Sequence, residues 1–334
     1  MKNLWIWFDY GVLLPSLTFL PYKWGRSVAS FRGYLYSLIK RDWRSFTFGD
    51  NALWERTYKA YEEICPNLSR DERLELVKRR YMNQSVEEFE GALLDRDRSD
   101  FLQNLKSRFQ IKFGMTKYFG MTKKFGMTKK FGMTKKFGMT KYIGIESVEE
   151  RIAKNPHAVF VTSHFGSSIL GITLLKRLNI PLLVMSSNVV EHEKVHPALT
   201  KFFLKKYRGI DRYMNGGEVL DIEGNGKRFL SFLKKTGSLV IIADLPPNNP
   251  NEIPAWKMFF GQTRGFASGA EKLAQSTKSE IIPFVCYFED DNYVVKFGDF
   301  NKEPYSFLEQ EIQKRPEMWW AADILGLLHK KEKE

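Results

Sequence analysis

The stretch that decides the fold is Ala158-Val-Phe-Val-Thr-Ser-His164-Phe165-Gly166-Ser167-Ser168-Ile169-Leu170. Its first five residues are mostly apolar and β-branched or aromatic, which predicts a buried central strand. Gly166 lets a substrate approach the backbone closely, and Ser167 and Ser168 are suited to cap a following helix. His164 therefore lies at the carboxyl end of a strand, where α/β proteins tend to place their chemistry. We take it as the candidate reactive residue; the alternative is a structural histidine.

Downstream of residue 142, runs typical of strands alternate with runs typical of helices. This alternation predicts an α/β fold with a central mostly parallel or mixed sheet flanked by helices. The predicted strands are Ala158–Thr162, Pro181–Met185, Ser238–Ala243, Glu280–Phe288 and Tyr293–Phe297. The predicted helices are Ser147–Lys154, Ser168–Leu178, Pro197–Tyr207, Gly226–Lys235 and Ser268–Gln275.

Composition narrows the class of protein. The chain has 334 residues, of which 43% are hydrophobic, enough for a sizeable core. Its two cysteines, Cys65 and Cys286, indicate neither a disulfide framework nor a cysteine metal cluster, and favour a reducing compartment. The net charge is +13, and removing the eight lysines of residues 113–142 leaves +5. This mild excess suits an anionic membrane surface or an acidic protein partner, and no nucleic-acid motif accompanies it.

The first residues are apolar and aromatic. Residues 4–21 lack a signal-peptide cleavage site, and Asp9 and Pro15 make them a poor transmembrane helix. Aromatic residues with basic neighbours indicate a monotopic contact with a membrane surface. These residues are Trp5, Trp7, Tyr10, Tyr22 and Trp24, with Lys23, Arg26 and Arg32. The alternative is a helix buried against the rest of the protein.

Three regions are predicted. Residues 1–112 form an apolar and helical section, in which Ser69 caps a helix with Asp71 and Glu72 in its first turn. Residues 113–142 are a six-residue tandem repeat based on FGMTKK, which fits no helical period and predicts a poorly ordered or strand-like insertion. Residues 143–328 form the α/β core, which makes one domain together with residues 1–112.

Four segments resemble the lipid A biosynthesis (lauroyl/myristoyl) acyltransferases, within the lysophospholipid-acyltransferase-like superfamily. The first runs from Tyr142-Ile-Gly-Ile-Glu146 into His164-Phe-Gly. The others are Gly237-Ser-Leu-Val-Ile-Ile-Ala-Asp244, the segment Met258 to Ala270 (MFFGQTRGFASGA), and Arg315-Pro-Glu-Met-Trp-Trp320. They occur in the order and with spacing suited to that family, and the similarity covers nearly the whole chain outside the repeat.

The resemblance implies transfer of a fatty acyl group from acyl carrier protein or coenzyme A to a hydroxyl of a membrane lipid. It also implies a histidine that acts as general base with a carboxylate five residues later. Here that position is Ile169, so the orienting acid must come from elsewhere or be absent. The candidate carboxylates are Glu191, Glu193, Asp211, Glu218 and Asp244. Asp244, at a predicted strand terminus, is the best second site residue.

Further substrate-binding candidates follow from the same segments. Ser167, Ser168 and the Gly166 backbone are expected to line the reacting carbonyl group. Phe260 and Gly261 lie in the segment expected to wall an acyl channel. Arg264 and, with less support, Arg208 are expected to hold a phosphate of the donor or acceptor; the alternative for both is a solvated arginine.

Two further motifs in the sequence resemble a zinc site and a dinucleotide-binding site. His192-Glu-Lys-Val-His196 fits the H-E-x-x-H zinc pattern, but Pro197 predicts that a new helix starts there, which breaks the continuous helix the pattern needs. Gly224-Asn-Gly226 lacks a complete dinucleotide-binding motif.

The sequence thus predicts an acyltransferase that acts on a hydroxyl or amine acceptor at the cytoplasmic face of the inner membrane. His164 is the predicted base, Asp244 a positioning residue, and neither a metal nor a bound cofactor is expected, because acyl carrier protein or coenzyme A brings the acyl group as substrate. The alternative is a catalytically silent homologue that binds acyl chains or an acyl carrier protein, which Ile169 favours.

Overall fold

The computed structural model describes residues 2–96, 139–187, 192–247, 252–300 and 303–331. Its main sheet has seven strands in the order β1-β9-β8-β2-β5-β3-β4. All neighbouring pairs are parallel except β8 and β9, which form an antiparallel hairpin. The strands are β1 (Met139–Ile143), β2 (Ala158–Thr162), β3 (Leu182–Ser186), β4 (Val219–Asp221), β5 (Ser238–Ile242), β8 (Glu280–Glu289) and β9 (Asn292–Phe297).

A smaller antiparallel sheet has the strand order β10-β7-β6. Its Phe259 and Phe266 pack against Trp319 and Tyr305 of the C-terminal segment. Its strands are β6 (Ala255–Phe259), β7 (Gln262–Phe266) and β10 (His329–Lys330). Helices flank the main sheet. The apolar residues of β2 show why, because they point to both faces and need a helical layer on each. Val159 and Val161 join one core cluster, whereas Ala158 and Phe160 join the other, so β2 is buried on both faces.

The described helices are distributed between an N-terminal section and the α/β core. Those of the first section are α1 (Lys2–Phe8), α2 (Leu14–Leu17), α3 (Tyr22–Ile39), α4 (Trp43–Phe48), α5 (Leu53–Ile64) and α6 (Arg70–Asp95). Those of the core are α7 (Ile145–Lys154), α8 (Ser168–Leu174), α9 (Pro197–Asp211), α10 (Gly226–Lys235), α11 (Gly269–Thr277) and α12 (Pro304–Lys314). A π-helical turn, Asp9–Leu13, joins α1 to α2.

Helix α6 connects the N-terminal section to the sheet. It begins with a capping box, in which Ser69 accepts the N–H of Glu72 and the Glu72 carboxylate accepts the N–H of Ser69. This confirms the cap expected from the sequence. One side of α6 contacts α3, and other residues of α6 contact α8 and α9. These contacts place the second half of α6 against helices α8 and α9 of the α/β core.

A buried polar network fixes the N-terminal helices against α6. The Asp9 carboxylate accepts hydrogen bonds from the Arg32 guanidinium and the Tyr36 hydroxyl. The same guanidinium reaches Ser85 and Glu88 of α6, both at 2.7 Å. The expectation that Arg32 lies at the surface as a basic flank is therefore wrong, because its charge is neutralised by two carboxylates inside the protein.

The structure confirms the type of every element predicted for the core and, within a few residues, its bounds. All five predicted strands and all five predicted helices are present, although the last turn of the Ser168–Leu178 helix is a 3₁₀ turn, Leu175–Leu178. The pattern missed the short strands β4 and β10, the strands β6 and β7 of the small sheet, and the helix α12. Residues 113–138 of the repeat lie outside the described residues, while residues 139–142 form most of β1.

Within the described ranges, no helix combines the length and the apolar character needed to cross a bilayer. The N-terminal section instead divides its apolar residues between two surfaces. Ile6, Tyr10, Leu14 and Leu17 are buried in a core cluster with α6 and α9, so the buried-helix alternative holds for this side. Many other apolar side chains of α1 and α3 are exposed.

We predict that Gly33→Ala lowers the free energy of unfolding by about 1–3 kcal/mol, because overpacking forces a shift of backbone. A Cβ at Gly33 would lie 2.4 Å from the Tyr81 carbonyl oxygen, across the contact between α3 and α6. Gly226→Ala in α10 is the control, since a Cβ there meets nothing within 4 Å. Urea unfolding of both variants measures the difference, and an equal, small effect would contradict the close contact.

Candidate active site

Strands β2 and β5 bring two polar side chains to one edge of the sheet. β2 and β5 are parallel neighbours, with Thr162 paired to Ile242. His164 follows β2, and Asp244 follows β5 after Ala243 has donated its N–H to the Thr162 carbonyl, at 2.8 Å. Because parallel strands end at the same edge, the two residues meet although 80 positions separate them in sequence.

The Asp244 carboxylate is buried and accepts three hydrogen bonds. Its Oδ1 lies 2.8 Å from His164 Nδ1, and its Oδ2 accepts the backbone N–H of His164 at 2.8 Å. Oδ2 also accepts the indole N–H of Trp319 at 2.7 Å. An ionised carboxylate is an acceptor only, so Nδ1 carries the proton and Nε2 keeps its lone pair. The Asp244 carboxylate therefore orients the ring, and in the neutral form of the imidazole Nε2 is the nitrogen that can accept a proton.

Electrostatics keep this carboxylate ionised. Burial by itself raises the pKa of Asp244, but attraction by His164 and hydrogen bonds from His164 and Trp319 outweigh it and hold the pKa below its usual range. The charge is thus satisfied inside the protein and remains available to stabilise an imidazolium at His164.

The C-terminal segment completes the arrangement. Phe165 and Trp319 form an antiparallel backbone bridge, and the Trp320 N–H donates to the His164 carbonyl at 3.0 Å. The Trp320 ring meets the imidazole edge to face, with 4.2 Å between ring centroids. Neither tryptophan has a role that the sequence predicts, although both lie in a segment that resembles the family. Their partners lie more than 70 positions earlier in the chain, so no local pattern indicates the contacts.

The imidazole lines a cavity of about 320 Å³. The walls are largely apolar and come from β3, α8, α9 and the segment after β5; they include Ile169, Ile172, Val184, Phe202 and Leu245. Ile169, at the position where the resemblance implies a carboxylate, is therefore part of the apolar wall. A larger groove of about 810 Å³ lies at the opposite edge of the sheet, where Ala158 begins β2, and does not include His164.

Glu87 of α6 lines the same cavity and was not identified from the sequence. Its Oε1 accepts a hydrogen bond from the Ser168 hydroxyl at 2.5 Å. Burial raises the pKa of Glu87, an effect opposed by the charge of Lys206, the Ser168 hydrogen bond and His164. In a charged helix of 26 residues nothing in the local pattern distinguishes this glutamate from the exposed Glu72 and Glu75 of the same helix.

The backbone around Gly166 is committed to structure. Gly166 has φ of +58°, and a Cβ there would lie 2.4 Å from the Cys286 carbonyl oxygen. Its N–H donates to the Met318 carbonyl at 2.8 Å, and the Ser167 N–H donates to that of Cys286 at 2.9 Å. The expectation that these groups line the reacting carbonyl is corrected here, because both N–H groups are already used and neither residue lines the cavity.

Phe260 and Gly261 lie outside the cavity wall. Phe260 is buried against Phe259 and Trp319, with ring centroids 4.4 Å and 5.9 Å away, and Gly261 is exposed in the turn between β6 and β7. These two residues belong to the packing around Trp319 and to the small sheet, and their role in an acyl channel stays a prediction.

The two candidate arginines also lie outside the cavity wall. Arg264 is fully buried, where its guanidinium pairs with Glu63 and donates to the Leu325 carbonyl at 2.7 Å. Its predicted contact with a phosphate is corrected by this internal ion pair. Arg208 is exposed on α9 and donates to the Leu204 carbonyl one turn earlier, as the solvated-arginine alternative expects.

The remaining candidate acids are engaged elsewhere or exposed. Asp211 accepts the Val219 N–H, Glu218 pairs with Arg228, and Glu193 is exposed. Glu191 lies outside the described residues. Asp244 is the member of this group that contacts the imidazole.

The H-E-x-x-H motif does not form a helical metal site. A turn follows His192, and α9 begins at Pro197 with His196 as its cap, so the two histidines are not on one helix. His192 packs against Phe48, with ring centroids 5.2 Å apart. In the described part of the chain no group of three His, Cys, Asp or Glu side chains is placed to hold a metal ion.

We predict that Trp319→Phe lowers the free energy of unfolding at pH 7 by about 1–3 kcal/mol, since a carboxylate loses a hydrogen bond. Asp244 has a depressed pKa in the folded protein, so its contribution is present above the unfolded pKa and is lost as pH falls through the folded one. The gap between variant and wild type should therefore narrow below pH 4.

Trp320→Phe is the matched control, because the indole N–H of Trp320 has no hydrogen-bond partner in the described residues. Its effect should not depend on pH. Urea unfolding across this pH range measures both variants, and parallel curves would contradict the role of Trp319.

Comparison with known proteins agrees with the geometry. A search among curated proteins gives no match. The family model described as bacterial lipid A biosynthesis acyltransferase matches residues 77–321, which include the second half of α6, the His164–Asp244 pair and both tryptophans. The match covers well over half of the chain, and the protein belongs to the bacterial lipid A biosynthesis acyltransferase family.

Proposed function

We propose that this acyltransferase moves a fatty acyl group from an acyl carrier protein or coenzyme A thioester to a hydroxyl or amine, with His164 as general base. One observation carries the proposal: the imidazole, oriented by Asp244 through Nδ1, lines an apolar cavity. Apolar walls suit an aliphatic chain, and a neutral imidazole suits removal of a proton near neutral pH.

In the proposed reaction, Nε2 of His164 takes the proton of the acceptor as its oxygen or nitrogen bonds to the thioester carbon. The C–S bond then breaks, and the departing sulfur takes the proton from the imidazolium. Asp244 stabilises the transient imidazolium without itself taking the proton. The thioester is the activated reactant, so the proposal requires neither a metal nor a bound cofactor.

We predict that His164→Ala lowers the turnover number by about 10²- to 10⁴-fold, the usual contribution of a positioned base. The matched control is His157→Ala, which removes a histidine just before the opposite end of the same strand, 3.3 Å from the Gly237 carbonyl. Thiol release from palmitoyl-coenzyme A and from palmitoyl acyl carrier protein, with a mixed bacterial lipid extract as acceptor, measures the rate.

Equal thiol release by wild type and His164→Ala would overturn the proposed function. It would favour the silent homologue that binds acyl chains or an acyl carrier protein. Mass spectrometry of the acylated products then distinguishes ester from amide products and identifies the acceptor.

The exposed side of α3 supports the proposed location at a membrane surface. Trp24, Phe31 and Leu38 are spaced by seven residues, lie on one side of the helix and are 70%, 58% and 55% exposed. Trp5 and Trp7 of α1 are also exposed. The exposed aromatic and aliphatic side chains suit the interface of a bilayer. The net charge of +13 suits a bilayer rich in anionic lipid. We place the protein on the cytoplasmic face of the inner membrane.

We predict that the triple variant Trp24→Ser, Phe31→Ser, Leu38→Ser binds vesicles of phosphatidylethanolamine and phosphatidylglycerol at least about tenfold more weakly, because three apolar side chains no longer enter the lipid. The control replaces three equally exposed residues elsewhere, Ile253, Met258 and Leu327, by serine. Vesicle co-sedimentation measures binding, and equal losses in both triple variants would contradict this membrane face.

A further inference from the structure

Glu87 places a second carboxylate in the cavity that His164 lines. The side chain is 6% exposed and lies among largely apolar walls, where an ionised carboxylate is costly unless it has partners. It belongs to α6, outside the strand ends that supply the His164–Asp244 pair. Nothing in the reaction proposed above uses it.

The partners of Glu87 leave part of its capacity unused. Oε1 accepts the hydrogen bond of the Ser168 hydroxyl, and the positive charge of Lys206 attracts the carboxylate. That ammonium lies over the Phe203 and Tyr207 rings, 4.7 Å and 5.6 Å from their centroids. An ionised carboxylate offers about four lone-pair positions, so Glu87 can accept further hydrogen bonds.

The number of O–H or N–H hydrogens on the acyl acceptor decides how many of the two groups, His164 and Glu87, it can satisfy. His164 donates its Nδ1–H to the Asp244 carboxylate, so Nε2 of the neutral ring is a hydrogen-bond acceptor, and the ionised Glu87 carboxylate is an acceptor as well. A hydroxyl nucleophile has one hydrogen and can satisfy one of the two groups. A neutral primary amine has two N–H hydrogens, one for each group.

We propose that Glu87 selects a primary amine as the acyl acceptor, by accepting one N–H of the amine while His164 accepts the other. This inference rests on the proposed acyl transfer and names its acceptor class. The amine binds after its ammonium has lost a proton to solvent. The C–N bond forms as one proton passes to His164 Nε2, the C–S bond breaks, and the departing thiolate takes that proton from the imidazolium. The amide product keeps the N–H that faces Glu87.

The experiment uses a pair of probes that differ only in the nucleophile, decylamine and decanol, with palmitoyl-coenzyme A as donor. We expect wild type to form the amide at least about tenfold faster than the ester, as charge-assisted hydrogen bonds allow. Glu87→Gln keeps the shape and removes the charge, and should lower the ratio of amide to ester formation about 10- to 100-fold.

Two further variants separate selection from folding. Glu75→Gln changes an exposed glutamate of the same helix and should match wild type. Glu87→Asp keeps the charge one methylene farther back and should retain a preference for the amine. Wild-type preference for decanol, or equal loss of both products in Glu87→Gln, would overturn the proposal.

Binding gives a readout that does not need turnover. Trp43 and Trp320 line the cavity, so their fluorescence reports occupancy by either probe. We expect decylamine to bind wild type about tenfold more tightly than decanol, and Glu87→Gln to remove the difference. Selective binding without thiol release would support the Glu87 site while overturning the proposed transfer; equal binding of both probes by wild type would overturn the Glu87 proposal itself.

Discussion

The Asp244 carboxylate is the point on which the candidate active site depends. It accepts hydrogen bonds from the His164 side chain, the His164 backbone and the Trp319 indole, which belong to two distant parts of the chain. Because the carboxylate is buried, each missing donor leaves charge unsatisfied in a low-dielectric environment. The same interaction orients the imidazole and holds the C-terminal segment against the edge of the sheet.

The N-terminal helices contribute the other side of the cavity. Arg32 joins Asp9 of the π-helical turn to Ser85 and Glu88 of α6, and the neighbouring Glu87 then lines the cavity. A second buried cluster, in which Arg44 and Arg80 bond Asp323, attaches α4 and α6 to the C-terminal segment. The apolar helices are thus part of the cavity's structure as well as the basis of the proposed membrane face.

The sequence predicted the α/β core because its strands are buried on both faces and give continuous apolar runs, such as Val159 to Val161. It predicted Asp244 beside His164 because both follow strands of one parallel sheet. It failed for Arg264 and for the Gly166 and Ser167 backbone, because an arginine or a glycine looks the same in sequence whether it meets substrate or an internal partner. It missed Glu87 because the position of α6 over the sheet depends on tertiary contacts.

The structure gives a simple account of an apolar residue at position 169, where the resemblance implies a carboxylate. Ile169 adds apolar surface to the cavity, and orientation of the imidazole is supplied by Asp244 from the neighbouring strand. A carboxylate at 169 would share the cavity with Glu87, and two like charges in an apolar space raise each other's pKa. The isoleucine therefore fits a cavity whose negative charge comes from α6.

The hydrogen bond from Trp319 and the bridge between Phe165 and Trp319 also bear on biosynthesis. The ribosome makes the histidine and the aspartate long before it makes the tryptophan that completes their arrangement. A nascent chain that ends before residue 319 therefore lacks one of the three hydrogen bonds to the Asp244 carboxylate and the backbone contact at Phe165.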